Sequence, residues 1–201
     1  MLSQGVAVAV EKPDYSIVEK AGDMEIRDYP PLVLAEITVD GSLGDAASKA
    51  FRPLANYIFD EERSAGKIDM TAPVIQQREK IAMTAPVTQQ QDDSGRWTIA
   101  FIMPGEWTLE GLPAPKNPDI ELRREPARRM AAIQFSWFAT PGRLKAQEEE
   151  LRAWLEKRAL KPAGSAIYAY YDPPFQLPFL RRNEVLIPIE AKSAAGAKAG
   201  G

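Results

Sequence analysis

The sequence of 201 residues contains no histidine and no cysteine, and these two absences restrict its chemistry most. Without cysteine the chain has no disulfide bond, no thiolate nucleophile and no Cys-based metal cluster. Without histidine it has no Ser-His-Asp triad and no imidazole ligand for zinc or iron. Acid–base catalysis would fall to carboxylates, lysine or tyrosine, and acidic residues alone identify no site in a chain that has 28 of them. We therefore expect no enzyme, no catalytic residue and no metal site, with a carboxylate-driven hydrolase as the alternative.

Long apolar runs, phosphate-binding loops and basic stripes are also missing. The apolar run at residues 5–10 is too short for a transmembrane helix or for the core of a signal peptide. No Gly-rich phosphate loop and no G-x-S-x-G motif occurs. A formal net charge of −3 argues against a nucleic-acid partner. We expect no transmembrane segment and a small-molecule partner. The protein would be cytoplasmic as the sequence stands, or periplasmic if an export signal has been removed, and the oligomeric state is left open.

The sequence does contain an internal similarity between its two halves. Asp23–Pro30 resembles Asp119–Pro126, and the similarity continues without a gap into the segment that follows each copy. Each copy is typical of a strand, a turn marked by proline and a second strand, and an amphipathic pattern follows both. We therefore predict an α+β fold of two pseudo-repeated β-β-α-β-β units, at about 23–104 and 119–189. The two units would form one distorted antiparallel or mixed β-barrel with two packed amphipathic helices.

The same patterns give the expected boundaries of the domain and its remaining strands. A single domain spans residues 15–190, between an N-terminal extension at 1–14 and a flexible Ala/Gly/Lys/Ser tail at 191–201. The strands that close the two units are predicted at Ala72–Gln77, Ala85–Gln90, Trp97–Met103, Ala166–Asp172 and Glu184–Ile189.

The two helices have recognisable start signals. Ser42 can cap the first helix, and Thr140 with Pro141 can begin the second. Pro53 falls inside the first helix and should kink or interrupt it. The inward-facing stripe of that helix is predicted to contain Ala47, Ala50, Phe51, Leu54, Ala55 and Ile58.

A tandem repeat lies in the first half of the chain. Lys67–Gln77 and Lys80–Gln90 share a Lys-Ile-x-Met-Thr-Ala-Pro-Val pattern. Because proline restricts the preceding alanine to an extended conformation and removes a donor, each copy is typical of an edge or entry strand. One interpretation is a duplicated hairpin in which Met70 and Met83 fill gaps in the core. The alternative places these methionines and lysines at the rim of an apolar cleft.

Two further motifs contain charged residues that could bind an anion or form ion pairs. Tyr171–Phe175 contains two prolines and is followed by Arg181–Val185, in which we expect Glu184 to pair with an arginine and Asn183 to bond backbone. The alternative is an anion-binding rim. In Glu25–Tyr29, strand alternation places the glutamate, arginine and tyrosine on one face, which meets either neighbouring ion-pair partners or a cleft.

These three motifs, in this order and spacing, resemble the SOUL/haem-binding protein family. The matching residues are Glu25-Ile26-Arg27-x-Tyr29, Lys80-Ile81-x-Met83-Thr84-x-Pro86-Val87 and Tyr171-Asp172-Pro173-Pro174 with Arg182-Asn183-Glu184-Val185. The resemblance runs from about Tyr15 to Ile189. It implies a distorted β-barrel that binds haem or another porphyrin in an apolar surface groove at the first helix, with basic residues near the propionates.

The resemblance also implies where that ligand is held in this chain. Asp28 stands where some relatives have a histidine proposed to ligate iron, so haem would be held weakly or without His ligation. The basic position early in the first helix is Lys49, whereas a lysine of some relatives falls near Gln176, where it is lost. The expected cofactor-binding residues are Lys49, Arg52, Ala50, Leu54, Tyr57, Met70 and Met83.

The predicted duplication of the β-β-α-β-β unit is also compatible with a second function. The duplicated β-β-α-β-β plan resembles the effector-binding domains of bacterial regulators, which bind lipophilic ligands between their repeats. This resemblance lies at the level of the fold and implies a binding or sensor module for another flat hydrophobic ligand.

Overall fold

The computed structural model describes residues 12–59, 85–173 and 175–190, and in this part of the chain nine strands form one sheet with two α-helices. A 3₁₀ helix spans Pro178–Leu180. The α-helices are α1 (Leu43–Ile58) and α2 (Pro141–Lys157). The strands are β1 (Ser16–Ala21), β2 (Met24–Tyr29), β3 (Leu32–Val39), β4 (Val87–Gln91), β5 (Trp97–Ile102), β6 (Glu121–Glu125), β7 (Arg128–Phe135), β8 (Ile167–Tyr170) and β9 (Asn183–Pro188).

The sheet has the order β1-β2-β7-β9-β8-β4-β5-β3-β6 and curls into a half-barrel. Every pairing between its strands is antiparallel, which decides between the mixed and antiparallel alternatives. The α+β class and the two packed helices are confirmed. After β1 the order β-β-α-β-β occurs twice, but element order alone does not establish a repeat, and the internal repeat stays a prediction.

The two faces of the sheet carry different side chains because successive residues of a strand point in opposite directions. On the outer face, α1 packs against β3 and β5 around residues such as Ile37 and Ile99. On the same face α2 packs against β7 and β9, where Ile133 and Val185 lie in the core. The concave face of the half-barrel carries smaller apolar clusters and most of the buried charges.

The helix start signals are confirmed. The Ser42 side chain accepts from the Asp45 backbone N–H, the Thr140 side chain accepts from Arg143, and proline occupies the first turn of α2. Pro53 does not interrupt α1, which continues for five more residues. The missing donor of Pro53 removes one helical hydrogen bond, while buried Leu54 and the residues after it hold the last turns against the sheet.

The strand predictions differ from the structure at β1 and at several strand ends, and one predicted strand is not tested. β1 was not predicted, because its side chains are mostly exposed and show no alternation between apolar and polar residues. The predicted strand beginning at Ala85 starts at Val87. The strand predicted at Ala72–Gln77 lies outside the described residues. No helix in the described part of the chain is both long and apolar enough to cross a membrane.

Candidate functional site

The predicted site residues of α1 lie on two different sides of that helix. Ala50, Leu54 and Tyr57 are fully buried in the core between α1 and the sheet. The Tyr57 hydroxyl donates a hydrogen bond to the Pro113 carbonyl, at 2.7 Å. Lys49 and Arg52 are exposed. The structure therefore separates the three apolar residues, which face the sheet, from the two cationic residues, which face outwards.

An exposed apolar flank of α1, which we call the α1 strip, consists of Ala47, Phe51, Ala55 and Phe59. These residues follow one another at intervals of four and so lie on one side of the helix. The two alanines are half-buried, whereas the phenylalanines are 45% and 61% exposed. The Phe51 ring leans edge-on against Phe101 of β5, with 5.4 Å between ring centroids.

One of the two predicted cationic side chains flanks the α1 strip, because Lys49 lies two residues from both Ala47 and Phe51 and so on another side of the helix. Arg52 directly follows Phe51 and is exposed. Lys49 bends towards the start of the helix, where its Nζ donates to the Asp40 carbonyl at 3.3 Å. The sequence assigned Phe51 to the inward-facing stripe, but the broad apolar arc of α1 places it at the margin. Phe59, four residues beyond Ala55, was the signal that could have revealed the strip.

The other predicted positions do not join the α1 strip in the described structure. Met70 and Met83 lie outside the described residues. Asp28 lies on β2, which pairs with β1 and β7, whereas α1 packs on β3 and β5. Its carboxylate accepts two hydrogen bonds from Arg129, both at 2.7 Å, and these lower the pKa of Asp28. Gln176 accepts, through its backbone carbonyl, a hydrogen bond from Arg181.

The first and third motifs meet in a buried ion-pair network on the concave side. Arg27 donates to both oxygens of Glu184, at 2.8 and 2.9 Å, and its Nε donates to Glu25 at 2.7 Å. Glu184 also accepts from Arg182 and from the Tyr171 hydroxyl. The side chains of Arg27 and Glu184 are 1% and 0% exposed. The expected pairing of Glu184 with an arginine is confirmed.

The electrostatics of this network follow from its burial. Burial alone would raise the pKa of Glu184, but the hydrogen bonds and charge of Arg27, together with Arg182, outweigh it and lower that pKa. Burial raises the pKa of Tyr29 to about 12, so this phenol stays protonated and is a poor candidate for an iron ligand. Asn183 donates to the Trp137 carbonyl at 2.9 Å, which confirms the predicted backbone bond. The two motifs therefore stabilise the fold.

A cleft opens on the concave face, and we call it the concave cleft. Its polar part has a volume of about 310 Å³ and its adjoining apolar part about 50 Å³. Four residues line both parts, namely Leu34, Thr88, Arg128 and Ile167. Arg123 lies in the polar part, donates to both oxygens of Glu36 at 2.9 and 3.1 Å and also bonds Glu125.

An exposed apolar surface on the loops, here called the loop patch, is separate from the α1 strip and from the concave cleft. Its members are all between about half and nine-tenths exposed, and the Trp137 backbone N–H joins its two segments by donating to the Pro178 carbonyl at 2.7 Å. The loop patch consists of Trp137, Phe138, Phe175, Leu177, Phe179 and Leu180.

The carboxyl groups give no support to acid–base catalysis. A general acid at neutral pH needs a raised carboxyl pKa. In the described part of the chain, every clear shift of a carboxyl pKa is downward, at Glu25, Asp28, Asp92 and Glu184.

Comparison with known proteins identifies the family. The family model described as "SOUL heme-binding protein" matches residues 10–188, which is most of the chain. The chain belongs to the SOUL heme-binding protein family. The description of the SOUL family names haem binding and no reaction. A search of curated proteins finds no match to the chain.

Solved structures share the fold of this SOUL-family chain at low sequence identity. The C-terminal domain of EcmrR is 12% identical with a TM-score of 0.59, and the match covers 88% of this chain and 98% of that one. EcmrR in an EcmrR–DNA complex is 12% identical with a TM-score of 0.58, covering 83% of this chain and 57% of that one. A protein from Listeria innocua described as a hydrolase is 12% identical with a TM-score of 0.54, and the match covers 84% of this chain and 92% of that one.

These structural likenesses concern the fold alone. At 12% identity, the DNA bound in the EcmrR complex and the hydrolase description of the Listeria innocua protein apply to those proteins. The expectation that this SOUL-family protein has no nucleic-acid partner stays a prediction.

Proposed function

We propose that this SOUL-family protein binds a tetrapyrrole non-covalently along the α1 strip, without histidine ligation of the iron. The observation that carries the proposal is the pair of exposed rings, Phe51 and Phe59, on one flank of the first helix of a haem-binding family member. Exposed aromatic groups that line up on one side of a helix are a typical apolar contact surface.

The chemistry of the α1 strip fits a flat, amphipathic ligand. A porphyrin face can pack on two phenyl rings, and burial of one such side chain is worth about 1.5–3 kcal/mol. Arg52 beside the strip can pair with a propionate. Lys49 donates to the Asp40 carbonyl on another side of the helix and is not a contact in this proposal. Ala50, Leu54 and Tyr57 support the helix from beneath and do not touch the ligand in this proposal. Met70 and Met83 remain candidate contacts.

Iron ligation contributes little in this proposal because the chain has no histidine. Bound haem would supply redox chemistry through its iron, while the residues of this chain bind and orient the macrocycle. Binding therefore depends on apolar contact and on propionate charge.

Phe51→Ser should weaken binding of protoporphyrin IX by about three- to tenfold, because the ligand can cover only the exposed 45% of the side chain, worth about 0.7–1.4 kcal/mol, and tenfold corresponds to about 1.4 kcal/mol. Fluorescence titration of protoporphyrin IX measures the dissociation constants. Phe179→Ser is the matched control, since it removes a similarly exposed ring from the loop patch, 55% exposed, and should leave the affinity unchanged.

The same titration separates the alternatives. If Phe179→Ser weakens binding and Phe51→Ser does not, the α1 strip is not the site. If protoporphyrin does not bind the wild-type protein saturably, tetrapyrrole binding is wrong, and the sensor for another flat hydrophobic ligand becomes the better hypothesis. A screen of porphyrin-free amphiphiles by shift of the melting temperature tests that hypothesis.

A further inference from the structure

Arg128 occupies the junction between the polar and apolar parts of the concave cleft. Its side chain is 29% exposed, and among the described residues its guanidinium forms one ion pair, from Nη1 to Glu125 at 2.9 Å. A guanidinium has five N–H donors, so most of the hydrogen-bonding capacity of Arg128 faces the cleft without a partner in the described structure. Burial lowers the pKa of Arg128, because partial removal from water destabilises its charged form.

The acidic groups of the concave cleft are already compensated. Glu36 accepts two hydrogen bonds from Arg123, and Glu125 is shared between that arginine and Arg128. Asp92, at the mouth of the cleft, accepts from Ser94 and Arg96 in its own turn. Asp93 at the mouth is exposed to solvent. Glu36 and Glu125 thus balance the charges of Arg123 and Arg128, and what Arg128 still offers a ligand in the cleft is its unused N–H donors.

Apolar side chains lie on the other side of Arg128. Leu34 and Ile102 belong to one small cluster on the concave face, and Ile167 and Leu186 to a second. All four line the apolar part of the cleft. Its volume of about 50 Å³ exceeds the roughly 10–15 Å³ that a single water needs, and it admits a short apolar group.

We propose that the concave cleft binds a small amphiphilic carboxylate, whose head group pairs with Arg128 and whose short apolar tail packs against Leu34, Ile102 and Ile167. A guanidinium binds a carboxylate through two parallel hydrogen bonds, which gives both affinity and orientation. This site lies on the concave face, opposite α1, and is independent of the proposed tetrapyrrole site. Cavities with an apolar lining and a few convergent polar groups are typical ligand sites.

Calorimetric titration of the full chain with butanoate tests this site. Butanoate should bind saturably, and butan-1-ol, butylamine and butyl phosphate should bind at least tenfold more weakly. Arg128→Gln should weaken butanoate binding at least tenfold without changing the affinity for protoporphyrin IX. Arg124→Gln removes the same charge from an exposed position that pairs with Glu110 and should change neither affinity.

Methyl NMR of the wild-type protein tests the location even if Arg128→Gln fails to fold. Butanoate should shift the methyl signals of Leu34, Ile102 and Ile167 and leave those of Leu54 under α1 unchanged. Three results would overturn the proposal: shifts confined to other regions, equal binding of butan-1-ol, or tighter binding of butyl phosphate than of butanoate. Each can occur whether or not a tetrapyrrole binds at α1, so failure here and failure of the proposed function are distinguishable.

Discussion

Glu184→Gln should lower the free energy of unfolding by about 3–5 kcal/mol, the range for breaking a buried ion pair by removing the charge of one partner. The wild-type carboxylate accepts hydrogen bonds from Arg27, Arg182 and Tyr171. The glutamine would leave the two guanidiniums without this anion in a site that is closed to water, since Glu184 is 0% exposed. Urea unfolding followed by circular dichroism measures the change.

The control for this prediction is a second carboxylate–arginine pair. Asp28→Asn breaks the bidentate pair with Arg129, in which the aspartate side chain is 42% exposed. Pairs at such exposure contribute about 0–1 kcal/mol, so this variant should remain close to the wild type. Equal losses in the free energy of unfolding for the two substitutions would show that burial of an ion pair does not determine how much it contributes to stability.

Leu54→Ala should also lower stability strongly, by about 2–5 kcal/mol, because it opens a cavity beneath α1. Leu54 is 0% exposed and belongs to the core cluster of α1, β3 and β5. Since the side chain does not reach the α1 strip, the affinity of the folded protein for protoporphyrin IX should change less than threefold. Thermal unfolding and fluorescence titration measure the two quantities.

Phe51→Ser gives the opposite pattern and serves as the comparison for Leu54→Ala. It should cost about 1–2 kcal/mol of stability, because only about half of its ring is buried, and it should weaken binding. If Leu54→Ala reduced the affinity tenfold in folded protein, the buried face of α1 would have to open on binding.

The helices and most strands could be predicted because their signals are local. Ser42 and Thr140 cap the helices where the sequence indicates, since a cap depends on neighbours three residues away. β1 could not be predicted, because its side chains are mostly exposed and only its hydrogen bonds to β2 define it. The continuation of α1 through Pro53 could not be predicted from the sequence either, because tertiary packing decides whether a helix continues through a proline.

The site was harder to predict than the fold. Periodicity identified the apolar side of α1, but it could not separate Leu54 at the centre of the stripe from Phe51 at its margin. The centre of such a stripe is buried by the sheet, and only the margin is left for a ligand. Likewise, the sequence predicted that Glu184 has an arginine partner, but only the curled sheet brings Arg27 to it from 157 residues away.

The ion pairs of the family motifs and the α1 strip therefore lie on opposite faces of the sheet. The concave face contains the ion pairs formed by the family motifs of β2 and β9, which are buried and stabilising. The outer face carries α1, whose exposed rings and the neighbouring Arg52 form the proposed tetrapyrrole site. Asp28 belongs to β2, so the position where some relatives have a histidine does not border the α1 strip.

Parallel titration of the wild-type protein with haem and with metal-free protoporphyrin IX tests the central claim most directly. If apolar contact and propionate charge hold the ligand, both should bind saturably with dissociation constants within about threefold of each other, at one molecule per chain. Haem binding at least a hundredfold tighter than the metal-free porphyrin, which corresponds to about 2.8 kcal/mol from the iron, would contradict the claim.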